Sequence, residues 1–230
     1  MTNTGIGQQL TTIKQQLRSL ELRYQRGENS VRLIAVSKTR SAEEIRAAAD
    51  CQQFDFGENY VQEAVDKMAQ LEDLHLTWHF IGPIQKNKTK LIAQYFDWVH
   101  SIDREMIASR LSDQRPEHMP PLNVCVQVNI DQEESKSGVH PDNVLAIAKH
   151  IDALPQLKLQ GLMAIPAPQQ DFQQQRETFS KIRALLDQLN NTGLHTNTLS
   201  MGMSGDFAAA VAEGATMVRI GTAIFGPRKQ

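Results

Sequence analysis

A lysine, Lys38, closes the short run Leu33 to Lys38 (LIAVSK) after four apolar residues and a serine. An amine in that position has two readings. It is a solvated side chain whose stem covers apolar surface, or it is a nucleophile. Partial burial disfavours the ammonium and lowers the pKa, and the neutral amine then attacks an aldehyde to form a Schiff base. Arg219 stands between Val218 and Ile220 in a second apolar run. A guanidinium keeps its charge, so burial there demands either an internal carboxylate or a ligand as acceptor. Two turns complete the set: Ser200-Met201-Gly202-Met203-Ser204-Gly205-Asp206, and Gly221-Thr222 directly after the Arg219 run. Glycines permit close backbone approach, the hydroxyls of Ser204 and Thr222 can donate, and N–H groups opening a helix attract phosphate. Either turn alone is a common bend or cap; together they form a candidate phosphate cup.

These residues need a scaffold, and two alternating periods describe it. Short apolar runs read as buried strands: Leu33 to Lys38, Phe54 to Asn59, Trp78 to Gly82, Trp98 to Ile102, Asn123 to Ile130, Leu159 to Ile165, Thr198 to Gly202 and Met217 to Gly221. Helical stripes lie between them. Ser41 and Glu44 have capping-box spacing. Val61, Val65, Met68 and Leu71 form one stripe, and Met106, Ile107 and Leu111 another, with Asp103 as the expected cap. Pro141 suits the first turn of a helix carrying Val144, Ile147 and Ile151. Phe172 to Leu189 is a long stripe that stops at Asn190-Asn191-Thr192-Gly193, and Ala208 to Val211 is a short helix. Ahead of them all, Ile6, Leu10, Ile13, Leu17 and Leu20 make an amphipathic helix, expected to pack on its own barrel rather than on another subunit.

Strand–helix alternation implies parallel strands with helical crossovers. Eight such units predict an α/β fold, a single (β/α)8 TIM barrel with an additional N-terminal helix. The expected organisation is one domain over 1–230, with 1–28 as the N-terminal helix and lead-in. A doubly wound open sheet is the alternative, weakened by the lack of GxGxxG after the first strand. The C-terminal strand ends, where such barrels do chemistry, carry Lys38, Asn59, Gly82, Ser101, Asn129, Ile165, Gly202, and Gly221 with Thr222.

Composition excludes several classes. The chain has 230 residues with 24 Lys+Arg and 26 Asp+Glu, a net charge of −2, without the basic excess of a nucleic-acid binder. Two cysteines, Cys51 and Cys125, make no disulfide framework, so the expected compartment is a reducing cytoplasm. No apolar run is long enough for a membrane span, and the N-terminus lacks the apolar core of a secretory signal. His75 and His79 are four apart, but on a strand they need not share a face, and no metal is expected. Cys125 reads as core. Lys86, Lys88 and Lys90 read as a solvated helix start.

A lysine ending the first strand, an arginine in the last and a phosphate cup between strands seven and eight point to pyridoxal 5′-phosphate (PLP). The chain resembles the pyridoxal phosphate homeostasis proteins, PLP-binding barrels that share the fold type III barrel of the alanine racemase N-terminal domain. The matching motifs are AVSK (Ala35 to Lys38), FGENYVQEA (Phe56 to Ala64), WHFIGPIQKNK (Trp78 to Lys88), VNI with SKSG (Val128 to Ile130, Ser135 to Gly138), LSMGMSGD (Leu199 to Asp206) and VRIGTAIFG (Val218 to Gly226). The resemblance implies an aldimine of PLP on Lys38, Asn59 against the ring and Arg219 near the pyridine nitrogen. Ser204, Gly221 and Thr222 would hold the phosphate, with Met201 in the turn that shapes the cup, and His79 and Gly82 would line the floor of the site.

A protonated Arg219 disfavours protonation of the pyridine nitrogen and weakens the ring as an electron sink. Together with this, the resemblance implies a PLP carrier without turnover, which maintains intracellular PLP and hands it to apo PLP-dependent enzymes. It is expected to act as a monomer with no nucleic-acid or membrane partner. The alternative is an amino-acid racemase of weak activity. Racemisation needs a second acid–base group opposite the lysine, which related racemases take from a second domain of a partner subunit. Here the tyrosines are Tyr24, Tyr60 and Tyr95, of which Tyr60 follows Asn59. A cofactor-free Schiff-base aldolase would leave the phosphate cup unexplained.

Overall fold

The computed structural model describes residues 3–133 and 137–227. Within them eight parallel strands close into a barrel in chain order: β1 (Arg32–Val36), β2 (Asp55–Glu58), β3 (Thr77–Phe80), β4 (Trp98–Ile102), β5 (Leu122–Val128), β6 (Leu157–Ala164), β7 (Thr198–Ser200) and β8 (Met217–Ile220). β1 pairs with β8 from Arg32↔Met217 to Ala35↔Ile220, which closes the ring. The expected α/β barrel is therefore the observed fold. β4 matches its expected span; the other strands differ by a few residues, because the polar or glycine residues read as strand ends belong to the loops beyond them.

Helices cover the outside: α2 (Ala42–Ala49), α3 (Val61–Gln70), α4 (Thr89–Tyr95), α5 (Glu105–Gln114), α6 (Val144–Asp152), α7 (Phe172–Asn191), α8 (Phe207–Ala212) and α9 (Thr222–Phe225). The Ser41–Glu44 capping box is formed, with both reciprocal bonds. Pro141 opens a 3-10 turn that leads into α6. Asp103 does not cap α5. Arg104 occupies that position without a side-chain cap, because Asp103 lies one residue too early and its carboxylate accepts from Arg104 Nε at 3.0 Å. The leading helix α1 (Asn3–Arg23) buries Ile6, Leu10, Ile13 and Leu17 against α2, α8 and α9. It thus seals the seam where the first and last units of the barrel meet. No helix among the described residues is long and apolar enough to cross a membrane.

Alternation along the strands sorts side chains into two layers. Leu33, Ala35, Phe56, Phe80, Val99, Leu199, Val218 and Ile220 join the large apolar core under the helices. Ile34, Trp98, Cys125, Met163 and Met217 form a separate cluster inside the barrel. Polar residues share that interior: His79, His100, Ser200 and Arg219 are all buried. Cys125 is core as expected, and burial pushes its thiol up to about 12, so it stays protonated.

Candidate functional site

The C-terminal ends of the strands form the mouth of the barrel. Lys38 lies two residues past β1, in register with the interior residue Ile34, and is half-buried. Its neighbours are clamped. Ser37 Oγ donates to Glu58 Oε1 at 2.6 Å, and the Ser37 carbonyl accepts from Lys67 Nζ at 2.8 Å. Lys67 also meets Glu58 at 2.7 Å and Glu63 at 2.6 Å. Glu63 in turn accepts from the Thr39 N–H at 2.5 Å, and Thr39 is held at a left-handed φ of +63°. Burial raises the pKa of Glu58, while Lys67 and Ser37 pull it the other way. Three acceptors thus saturate the buried Lys67, leaving Lys38 on the interior rim with its backbone pinned on both sides.

Arg219 points into the barrel and is 3% exposed. Its Nη1 donates to Ser200 O at 2.6 Å and Ser200 Oγ at 2.7 Å, and its Nη2 donates to Ala164 O at 2.9 Å. Of the two partners left open by the sequence, a carboxylate ion pair is absent among the described residues; carbonyls and a hydroxyl hold the charge instead. Burial lowers the guanidinium to about 10, so it remains protonated near neutral pH.

The two turns converge beside it. Gly202 has φ +95°, and a Cβ there would lie 2.6 Å from Ala210 Cβ; its carbonyl accepts from Arg219 N at 3.0 Å. Gly221 packs on Val36, with a notional Cβ 3.3 Å from the Val36 carbonyl. Ser204 and Thr222 are exposed, and neither hydroxyl makes a hydrogen bond to another described residue. The backbone N–H groups of Ser204, Gly205, Gly221 and Thr222 likewise lack an acceptor among the described residues. Asp206 closes the first turn by accepting from Met203 N at 2.6 Å. Burial raises its pKa, against the pull of that N–H and of Arg219, which tempers its charge at the edge of the cup.

Asn59 lies one residue past β2, and its buried Oδ1 has no hydrogen-bond partner among the described residues. It lines a mouth cavity of about 380 Å³ with Ile81, Pro83, Gln127, Ile165 and Met203. Gly82 is forced to be glycine, since a Cβ would meet the Asn59 carbonyl at 2.5 Å. Ser101 Oγ donates to the Gly82 carbonyl at 2.5 Å and ties β4 to the same rim.

Two expected site residues sit differently from the rest. Met201 is wholly buried in the core beneath the helices, because alternation from Ser200 turns it outward, so only its backbone borders the cup. His79 lies deeper, inside the barrel, hydrogen-bonded to His100 and Asp55; His75 is exposed and takes no part. Ser135 and Lys136 of the SKSG motif lie outside the described residues. Reasoning from the sequence missed Glu58, Lys67 and His100, and it placed Ser200 in the cup turn without its bonds to Arg219 and His100. A signal existed for His100, a polar residue within an apolar strand, as with Arg219; Lys67 looks like any helical lysine.

Comparison with known proteins gives a consistent picture. The alanine racemase N-terminal domain family matches residues 9–229. A pyridoxal phosphate homeostasis protein of Pseudomonas aeruginosa is 56% identical over 199 residues, 86% of this chain and 85% of that protein. The protein of the same description from Vibrio cholerae is 50% identical over 228 residues, 97% of each chain. Among solved structures, PipY of Synechococcus elongatus is 38% identical and covers 96% of this chain and 100% of its own, with a TM-score of 0.86 without PLP and 0.83 with PLP bound.

Proposed function

The chain belongs to the alanine racemase N-terminal domain family and, within it, to the pyridoxal phosphate homeostasis proteins, and on that premise we propose that it binds PLP at the barrel mouth and serves as a carrier rather than an enzyme. The observation that carries this reading is the convergence, on one rim, of a backbone-clamped lysine, a buried protonated arginine and a cup of unfilled donors. That donor set fits an aldehyde bearing a phosphate. PLP supplies a reactive aldehyde and an electron-accepting ring.

Lys38 is the amine that would hold the cofactor covalently. Asn59, whose buried oxygen lacks a partner, would face the ring. Ser204, Gly221 and Thr222 would hold the phosphate, with the Met201 backbone in the same turn. Arg219 would approach the ring nitrogen. Two of its N–H groups, on Nε and Nη2, have no acceptor among the described residues, and its charge would keep that nitrogen unprotonated. This weakens carbanion chemistry and favours storage and release to apo-enzymes. The whole chain, 1–230, would act as one PLP-binding unit with 1–28 as its lead-in. A cytoplasmic monomer is the proposed state, the compartment in keeping with two free cysteines.

The test is spectroscopic. Protein incubated with PLP turns yellow, and borohydride reduction followed by peptide mapping places the label on Lys38, while Lys38→Ala loses the chromophore. Label on another lysine, with the chromophore retained in Lys38→Ala, overturns the assignment. Racemisation of alanine or serine stays at background; robust turnover would make the protein an enzyme.

A further inference from the structure

Five polar side chains from five strands are joined end to end through the barrel interior. Asp55 Oδ1 lies 3.0 Å from His79 Nε2. His79 Nδ1 lies 2.9 Å from His100 Nε2. His100 Nδ1 lies 2.8 Å from Ser200 Oγ, which accepts from Arg219 Nη1 at 2.7 Å. Asp55 starts β2 at the base of the barrel, where it pairs with Arg32 at 3.4 Å. Ser200 ends β7 at the mouth. His79, His100 and Ser200 are fully buried.

The two ends determine which way every proton points. Arginine only donates and a carboxylate only accepts. Ser200 Oγ receives the Arg219 N–H, so its own O–H goes to His100 Nδ1. His100 must then carry its proton on Nε2 and donate to His79 Nδ1, and His79 must carry its proton on Nε2 and donate to Asp55. The reverse arrangement leaves the Ser200 proton without an acceptor and requires a doubly protonated His79. Burial favours the neutral form of both rings. The charged and titratable groups around the chain are Arg32, Asp55 and Asp97 near His79, and Cys125 and Asp206 near Arg219.

We propose that this one-directional chain positions Arg219, so that Asp55, at the opposite end of the barrel from the mouth, sets how the guanidinium is presented to the cofactor. The proposal rests on the reading of the mouth as a PLP site. Both Nη1 hydrogens are spent on Ser200 and one Nη2 hydrogen on Ala164. The Ser200 hydroxyl accepts from Arg219 without losing its own donor bond only while His100 Nδ1 is bare, and that tautomer is in turn selected by Asp55. His79, His100, Ser200 and Asp55 are positioning residues; none needs to touch PLP.

The test has two arms. Long-range proton–nitrogen correlation spectra of the ligand-free protein show both histidines as neutral Nε2–H tautomers; a proton on His100 Nδ1 overturns the chain. With PLP added, Ser200→Ala and Asp55→Leu weaken binding about tenfold or more, the worth of one hydrogen bond to a charged group, and shift the absorption maximum of the bound cofactor. Asp55→Asn, whose amide oxygen still accepts from His79, restores both. Wild-type affinity and spectrum in both disruptive variants overturn the proposal, and if Asp55→Leu fails to fold, Ser200→Ala decides. A wild-type protein that takes up no PLP overturns the cofactor reading instead, and the tautomers still decide the chain.

Discussion

The mouth and the base of the barrel are built from the same eight strands but treat charge in opposite ways. At the mouth, the Glu58 and Lys67 side chains are 0% and 6% exposed and meet at 2.7 Å, and Arg219 is enclosed by carbonyls. At the base, Arg32 and Asp55 pair loosely at 3.4 Å with 47% and 22% exposure. An open cleft of about 470 Å³ runs between α1 and the starts of β1 and β2, lined by Lys14, Arg18, Glu21 and Phe54. Desolvated charges are tolerated only where fixed partners hold them, and such preorganised groups are what a polar ligand needs. Solvated pairs contribute little. The contrast follows the division of labour in these barrels, chemistry at the C-terminal face and stability at the other.

The strongest way to break the contrast is Lys67→Met. It leaves Glu58 and Glu63 without their shared cation and should cost about 3–5 kcal/mol, seen as a large drop in Tm, together with weaker PLP capture as Ser37 loosens. A loss no larger than that of a base variant would erase the distinction. Gly82→Ala comes next. Its Cβ would collide with the Asn59 backbone, costing roughly 1–3 kcal/mol and lowering PLP affinity in a titration.

Acid tests the interior between the two ends. His79 and His100 have pKa values below their ordinary 6.5, chiefly through burial. The unfolded chain therefore binds more protons below about pH 6.5, and stability falls as pH drops from there towards the folded-state values. Each histidine contributes at most about 1.4 kcal/mol per pH unit. Melting curves from pH 7 to 5 should show the decline, and His100→Gln should flatten it. The smallest effect belongs to the base. Arg18→Ala removes an exposed pair with Glu28 at 2.5 Å and should change stability by less than about 0.5 kcal/mol, with the PLP spectrum unchanged.

What was legible in the sequence is what depends on neighbours along the chain. The Ser41–Glu44 box could be read because both of its bonds are local. Lys38 and Arg219 stood out because each is a charged residue set at the end of or within a short apolar run. Asp103 misled because a cap depends on one residue of register. Met201 belongs to the cup turn in sequence, although alternation from Ser200 turns its side chain outward into the core. The interior chain was hidden for a different reason. Alternation says that His100 and Ser200 each face inward, but they are 100 residues apart, and nothing in either strand says that they meet. The Lys67 clamp has the same character, since it joins α3 to the loop after β1.

The seam under α1 also bears on synthesis. This helix precedes the barrel in chain order, yet it rests on α8 and α9, which follow β7, and β1 finds its second neighbour only in β8. At usual elongation rates those partners emerge roughly 10 to 40 s later. Through that interval α2 is the one of these three partners already made, so the apolar stripe of Ile6, Leu10, Ile13 and Leu17 is only partly covered. Ring closure and the completion of that burial thus both wait for the last units of the chain, and the helix works as a latch that engages fully once the last strand has arrived.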